Sequence, residues 1–146
     1  MLWRGCSSPR PILGKRGATS LEFALVGSLL LTLILGASEA GRYMITLQSL
    51  RSAADEAVRL VVLRGGANIN AGISPCAGLS GGLSGVAERV AFLEAASVAA
   101  NLTACNTSSN GITTVSILVR YPFVFKIQYF GRNNQIIEES ALALFN

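Results

Sequence analysis

One stretch limits what this chain can fold into more than any other. From Leu21 to Gly41 the only charges are Glu22 and Glu39, and Phe23 to Ala37 is apolar apart from Ser28 and Thr32. The hydroxyls of those two residues can bond back to a helix's own carbonyls. About 20 such residues are what a helix needs to cross the hydrocarbon core of a bilayer. A transmembrane helix is therefore the expected organising element, and Glu22 at its start needs a reason. An acid in mid-bilayer costs roughly 2.5–3.5 kcal/mol even on the lenient insertion scale, so such groups have a partner or a purpose.

The residues around that acid read Lys15-Arg16-Gly17-Ala18-Thr19-Ser20-Leu21-Glu22-Phe23. Glycine lets a protease approach the backbone closely. The pattern resembles the cleavage motif of type IV prepilins, and most closely the TadE-like pseudopilins of tight-adherence (Flp-type) pili. The resemblance implies a cut by a prepilin peptidase after Gly17, a new N-terminus at Ala18, and Glu22 as the fifth mature residue followed by Phe23. It continues through Glu39-Ala40-Gly41-Arg42-Tyr43 and Ala53-Ala54-Asp55-Glu56-Ala57-Val58-Arg59, is good over Gly17 to Arg64, and is thin beyond apart from Tyr121-Pro122. It implies that Glu22 pairs with the N-terminal amine during subunit assembly. It also implies as partners the peptidase, other pilin-like subunits and inner-membrane assembly proteins.

Charge and cysteine divide at the same point. Of 12 Lys and Arg, Arg4, Arg10, Lys15 and Arg16 precede the expected cut with no acid among them, leaving eight basic against eight acidic residues after it. The net charge of +4 is thus a topology signal and not a nucleic-acid footprint. Lys and Arg flanking a span stay cytoplasmic, so residues 1–17 are expected inside, as a Pro-punctuated leader, and everything after Arg42 outside. In a bacterium this places the chain in the inner membrane, single-pass, with a periplasmic head. Cys6 falls on the reducing side, and Cys76 and Cys105 on the side where disulfides persist. The even exported pair is consistent with one bridge or with two buried thiols.

The remaining pattern predicts an α+β fold: a long helix over 18–64, membrane-spanning to about residue 41, and a small exported head over 65–146. Tyr43, Leu47, Leu50, Ala54, Ala57, Val58 and Val61 recur at three- and four-residue spacing as one apolar stripe. Its cover is either the chain's own head or neighbouring subunits. Asp55 and Arg59, four apart, are expected to pair. Small residues four apart, Gly36 with Ala40 and Ala37 with Gly41, permit close helix approach as readily as they face lipid. Gly65-Gly66 reads as the helix stop. Residues 67–85 read as a Gly/Ser/Asn-rich loop, 86–102 as a second helix, and 101–111 as a polar loop carrying Cys105. Thr113 to Phe125 alternates as a half-buried strand, with Pro122 at an edge or bend. After a turn at Gly131-Arg132-Asn133-Asn134, Ile136 to Phe145 reads as an antiparallel partner strand.

The chain has no histidine, which removes the commonest general base and metal ligand. No catalytic residue, metal or cofactor is expected. The sole lysine after Gly17 is Lys126, without a serine motif beside it, and the tyrosines Tyr43, Tyr121 and Tyr129 read as core or interface aromatics. The chain is expected to be an enzyme's substrate, acting by binding in assembly of the pilus and surface adhesion. Two rivals belong to other classes. One is an uncleaved single-pass membrane protein with a sensor or scaffold head. The other is a small enzyme secreted after signal cleavage near Ser38.

Overall fold

The computed structural model describes residues 15–127 and 134–145. The leader residues Arg4, Cys6, Pro9, Arg10 and Pro11, the residues Tyr129 and Phe130, and the expected turn at Gly131 to Asn133 lie outside these. The fold is α+β: a helix, α1 (Lys15–Asn70), followed by three strands, β1 (Ala99–Thr107), β2 (Thr113–Phe123) and β3 (Gln135–Phe145). The strands form one antiparallel sheet in the order β1-β2-β3. The chain divides into two units, residues 1–37 and 38–146.

In the first unit every large apolar side chain from Leu21 to Leu35 stands exposed, Phe23 at 79%. Helix α1 is long and apolar enough to cross a membrane, the one such helix among the described residues. Ser28 Oγ donates to the Leu25 carbonyl (2.9 Å) and Thr32 Oγ1 to the Ser28 carbonyl (2.8 Å). Both hydroxyls are thereby satisfied without water, as a lipid-facing helix requires.

In the second unit the stripe on α1 is covered by the chain's own head. Leu50, Ala53, Ala54, Ala57 and Val61 are buried together with Val115, Ile117, Val119 and Phe123 of β2 and Ile137, Ala143 and Phe145 of β3. Leu79, Leu83 and Val86 close the core from the connecting segment. The alternation predicted for β2 holds: Thr113, Val115, Ile117, Val119 and Phe123 are buried, with Tyr121 half-buried. The partner strand pairs from Thr113↔Phe145 to Phe123↔Gln135. Pro122 sits where expected. Pairing with β1 begins only at Arg120, so at Pro122 β2 has a single neighbour, the edge setting in which proline is tolerated.

The helix does not end at Gly65-Gly66. It runs to Asn70, and its stop is Gly72, whose φ is +69°. Ile73 N donates to the Asn68 carbonyl (2.8 Å) and Gly72 N to the Ile69 carbonyl (3.0 Å), the paired bonds of a glycine-closed helix C-terminus. Gly65 serves packing instead. A Cβ there would lie 2.5 Å from Cζ of Phe145, so the bare backbone makes room for the ring.

The second helix expected over 86–102 is absent. A six-residue 3₁₀ helix occupies Ser80–Gly85 and single 3₁₀ turns occupy Ala87–Arg89 and Ala95–Ser97, and Ala99 onward is β1. The three-and-four spacing of Val86, Val90 and Leu93 does mark core-facing residues, but an irregular chain supplies them. The expected loop at 101–111 is likewise mostly strand. Thr103 falls at a register shift between Leu102 and Ala104, and its hydroxyl bonds the Ser116 carbonyl across the sheet (3.0 Å). Only 108–112 turns, with Gly111 at φ +82° and Ser108 N bonded to the Ile112 carbonyl. Cys105, inside β1, is joined to Cys76 by a disulfide with Cα atoms 6.0 Å apart. That bridge ties the end of the helix–loop segment to an edge strand of low intrinsic β-propensity.

Candidate functional site

Two places carry the polar residues that the sequence singles out. The first is the opening of α1. Lys15 and Arg16 begin the helix, and Gly17, Ala18, Glu22 and Phe23 all lie exposed in its first turns. Around Gly17 a Cβ would meet nothing within 4 Å, so packing inside the chain does not explain glycine there. Ala18 and Glu22, four apart, share one face of the helix. Among the described residues no side chain pairs with the Glu22 carboxylate.

The second place is where the apolar run gives way to the head. Glu39 is only 4% exposed. Its carboxylate takes two hydrogen bonds from Arg42 Nη1, at 2.9 and 3.0 Å, and one from the backbone N–H of Lys126, at 2.8 Å. The donor partners offset the cost of burying the charge. Arg42 also stands over the ring of Phe123, 5.5 Å from its centroid. Tyr43 meets Phe123 edge-on at 5.4 Å and stacks on Phe125 at 6.4 Å, and the two phenylalanines meet edge-on at 4.9 Å. Carboxylate, guanidinium and three rings thus clamp the end of β2 to the helix. Charge-assisted hydrogen bonds supply direction and edge-to-face aromatics supply area.

Residues 17–59 match the family model for TadE-like proteins. Over those residues the chain is similar to that family. The family is a structural one associated with tight-adherence pilus systems. No curated protein and no solved structure matches the chain.

The TadE-like segment begins at Gly17 and holds Ala18, Glu22 and Phe23 at its start, Glu39, Arg42 and Tyr43 in its middle, and Glu56 and Arg59 at its end. The structure brings the middle and end groups into contact with the head. The expected Asp55–Arg59 pair does not form. Arg59 instead reaches Glu56 at 3.4 Å, and Glu56 also takes a 2.8 Å bond from Arg89. That bond from Arg89 holds the Glu56 carboxyl below the ordinary carboxylate range, with the Arg59 charge assisting against partial desolvation. Arg51 similarly meets Glu139 of β3 at 3.6 Å.

In the sequence Glu39 reads only as a bound of the apolar span, and its role in the head is not visible there. An acid three residues before an arginine was a signal for the local pair, but nothing in the letters shows a backbone donor 87 residues away. Among the described residues no group of three or more His, Cys, Asp or Glu side chains is placed to hold a metal ion. Two shallow grooves flank the 91–94 turn. One, of about 520 Å³, is lined by Gln48, Ser52, Glu56 and Arg89; the other, of about 490 Å³, by Arg42, Glu94, Tyr121 and Lys126.

Proposed function

We propose that the chain is a minor pseudopilin of a tight-adherence pilus. It is inserted in the bacterial inner membrane with residues 1–17 in the cytoplasm and the head in the periplasm. A prepilin peptidase cuts between Gly17 and Ala18. The new amine of Ala18 then lies one helical turn from Glu22, and the two charges neutralise each other at a depth where a lone carboxylate is costly. The exposed apolar part of α1 packs with lipid and with the helices of other pilin-like subunits, and the head sets which partners are met. The protein works by binding, without turnover.

The observation that carries this reading is that the family match starts at Gly17 itself, with Glu22 and Phe23 in register behind it. The exposure of that glycine and of its neighbours supports access by a protease. The self-covered stripe on residues 43–61 supports a head that is folded before any subunit contact.

The test is the mass of the mature N-terminus in cells with and without the prepilin peptidase. The expected result is a chain beginning at Ala18 only when the peptidase is present. A chain that keeps residues 1–17 in both strains overturns the assembly role and leaves a single-pass anchored head. A start near Glu39 points to signal-peptide cleavage instead.

A further inference from the structure

The two edges of the sheet are finished differently. At β1 the register shifts between Leu102 and Ala104, and Ser80, Leu83 and Ala87 line a groove with Ala99 to Asn101. A bulge and a covering segment are two of the means by which folds close an edge to further pairing. The bridge from Cys105 to Cys76 fixes that strand besides. At β3 these devices are missing. It pairs with β2 through eleven consecutive residues without a shift, and among the described residues β2 is its one strand neighbour. From Gln135 to Phe145 it holds no proline, glycine or lysine.

On its outer face Ile136, Leu142 and Leu144 stand 62%, 65% and 67% exposed, and Ser140 to Phe145 carries no charge. An uncharged apolar segment on an open edge takes up further strands. The charges of β3 say which strand fits. Both are carboxylates, Glu138 on the outer face and Glu139 on the core face. Arg120 meets Glu138 at 2.8 Å and Arg51 meets Glu139 at 3.6 Å, and among the described residues neither acid has a second cation. The strand of a second copy fits poorly. Antiparallel self-pairing over the full length, centred on Ser140, sets Glu138 of one copy opposite Leu142 of the other. It also brings the two Glu139 side chains to diagonal positions, about 7–8 Å apart, where like charges repel. A strand bearing a cation at that level removes both conflicts.

We propose that β3 is an acceptor edge for an extended segment of another protein. The segment pairs antiparallel, the more stable sense, with apolar side chains opposite Leu144 and Leu142 and a lysine or arginine opposite Glu138. Main-chain bonds to the open edge supply the affinity, and the alternate side chains supply the selection. The sheet grows to four strands and the exposed leucines gain cross-strand neighbours. The inference concerns the head alone and stands whether or not residues 1–17 are removed.

The test uses the full chain in lipid nanodiscs and the capped peptide Ile-Thr-Ile-Thr-Thr-Thr-Lys-Thr. In the antiparallel register its isoleucines lie opposite Leu144 and Leu142 and its lysine opposite Glu138. Hydrogen–deuterium exchange is followed over β1 and β3 as the peptide is titrated. The expected result is a saturable slowing of exchange over β3 and none over β1. Glutamate in place of the peptide's lysine should weaken binding by about two- to tenfold, the difference between an opposite-charge and a like-charge cross-strand pair. Leu142→Lys and Leu144→Lys, at exposed positions, should each remove the slowing while keeping a melting midpoint close to the parent's. Unchanged exchange over β3 at the highest soluble peptide concentration overturns the proposal. Slowing over β1 or the 91–94 turn in place of β3 does the same, as does equal binding of the lysine and glutamate peptides. Slowing over β3 without peptide that deepens with protein concentration overturns it too and gives the edge to a second copy.

Discussion

Gly65 and Gly66 stand side by side in one helix, yet their replacement by alanine is expected to have opposite effects. In a helix interior, alanine is favoured over glycine by roughly 0.8–1.0 kcal/mol. At Gly66 a Cβ meets nothing within 4 Å, so Gly66→Ala should realise most of that gain. At Gly65 the new atom falls 2.5 and 2.6 Å from Cζ and Cε1 of Phe145. That ring is 7% exposed and sits at the end of β3 in the core, so it moves only by shifting neighbours. Overpacking of this kind costs about 1–3 kcal/mol. Gly65→Ala should therefore be less stable than Gly66→Ala by about 1–3 kcal/mol. Each kcal/mol moves the melting midpoint of a domain of up to about 100 residues by roughly 4–8 °C. The assay is thermal unfolding of the detergent-solubilised full chain, disulfide intact, followed by the sheet signal. A Phe145→Leu background supplies room, and there Gly65→Ala should turn stabilising. Equal midpoints for the two alanine variants in the parent background would refute the packing role of Gly65.

Four other perturbations test separate parts of the structure. Cys76→Ser with Cys105→Ser opens a loop of 29 residues' separation and should lower stability by about 3–4 kcal/mol on the chain-entropy model, read by denaturant titration with and without reductant. Glu39→Ala leaves Arg42 and the Lys126 N–H without their acceptor and should cost about 1–3 kcal/mol; Glu39→Gln keeps one acceptor oxygen and should cost less in the same titration. Glu56 is held below its ordinary value of 4.5, so the unfolded chain takes up the proton first as pH falls; the stabilisation is full above that value and declines below it, and Arg89→Gln should flatten this decline in stability measured from pH 6 to pH 3. Glu22→Ala should still be processed at Gly17 yet fail to support pili, and normal piliation in that variant would remove the charge-pairing role.

Much of the fold was legible because its signals are periodic. The stripe from Tyr43 to Val61 and the alternation from Thr113 to Phe123 each bury one face, and burial of one face is what periodicity records. The Gly17-to-Phe23 motif was legible because it is contiguous in sequence, at the start of the stretch that matches the family model. The errors have physical causes of their own. The glycine pair at 65–66 reads as a stop because helix propensity is local, whereas the ring that demands a glycine at 65 comes from 80 residues away. Val86, Val90 and Leu93 are spaced for a helix, but the core constrains only which residues face inward, and 3₁₀ turns meet that condition equally well. Ala99 to Ala104 reads poorly as a strand, since alanine and asparagine favour none; pairing with β2 and the bridge at Cys105 override the preference. Arg59 chose Glu56 over Asp55 because Glu56 is held in place by Arg89. No pattern of letters announces that a main-chain N–H of Lys126 will seat on Glu39.

The grip on Glu39 has a mechanical consequence. A helix held by hydrophobic contact alone can swivel beneath its cover, because such contact has little directional preference. Three hydrogen bonds on one carboxylate, two from along the helix and one from across it, act as a key in a slot. Turning residues 39–61 about their axis would have to drag the sheet along. The azimuth of the head is thereby locked, and only one side of that stretch, the side bearing Met44, Gln48, Arg51 and Asp55, is left open to an approaching neighbour.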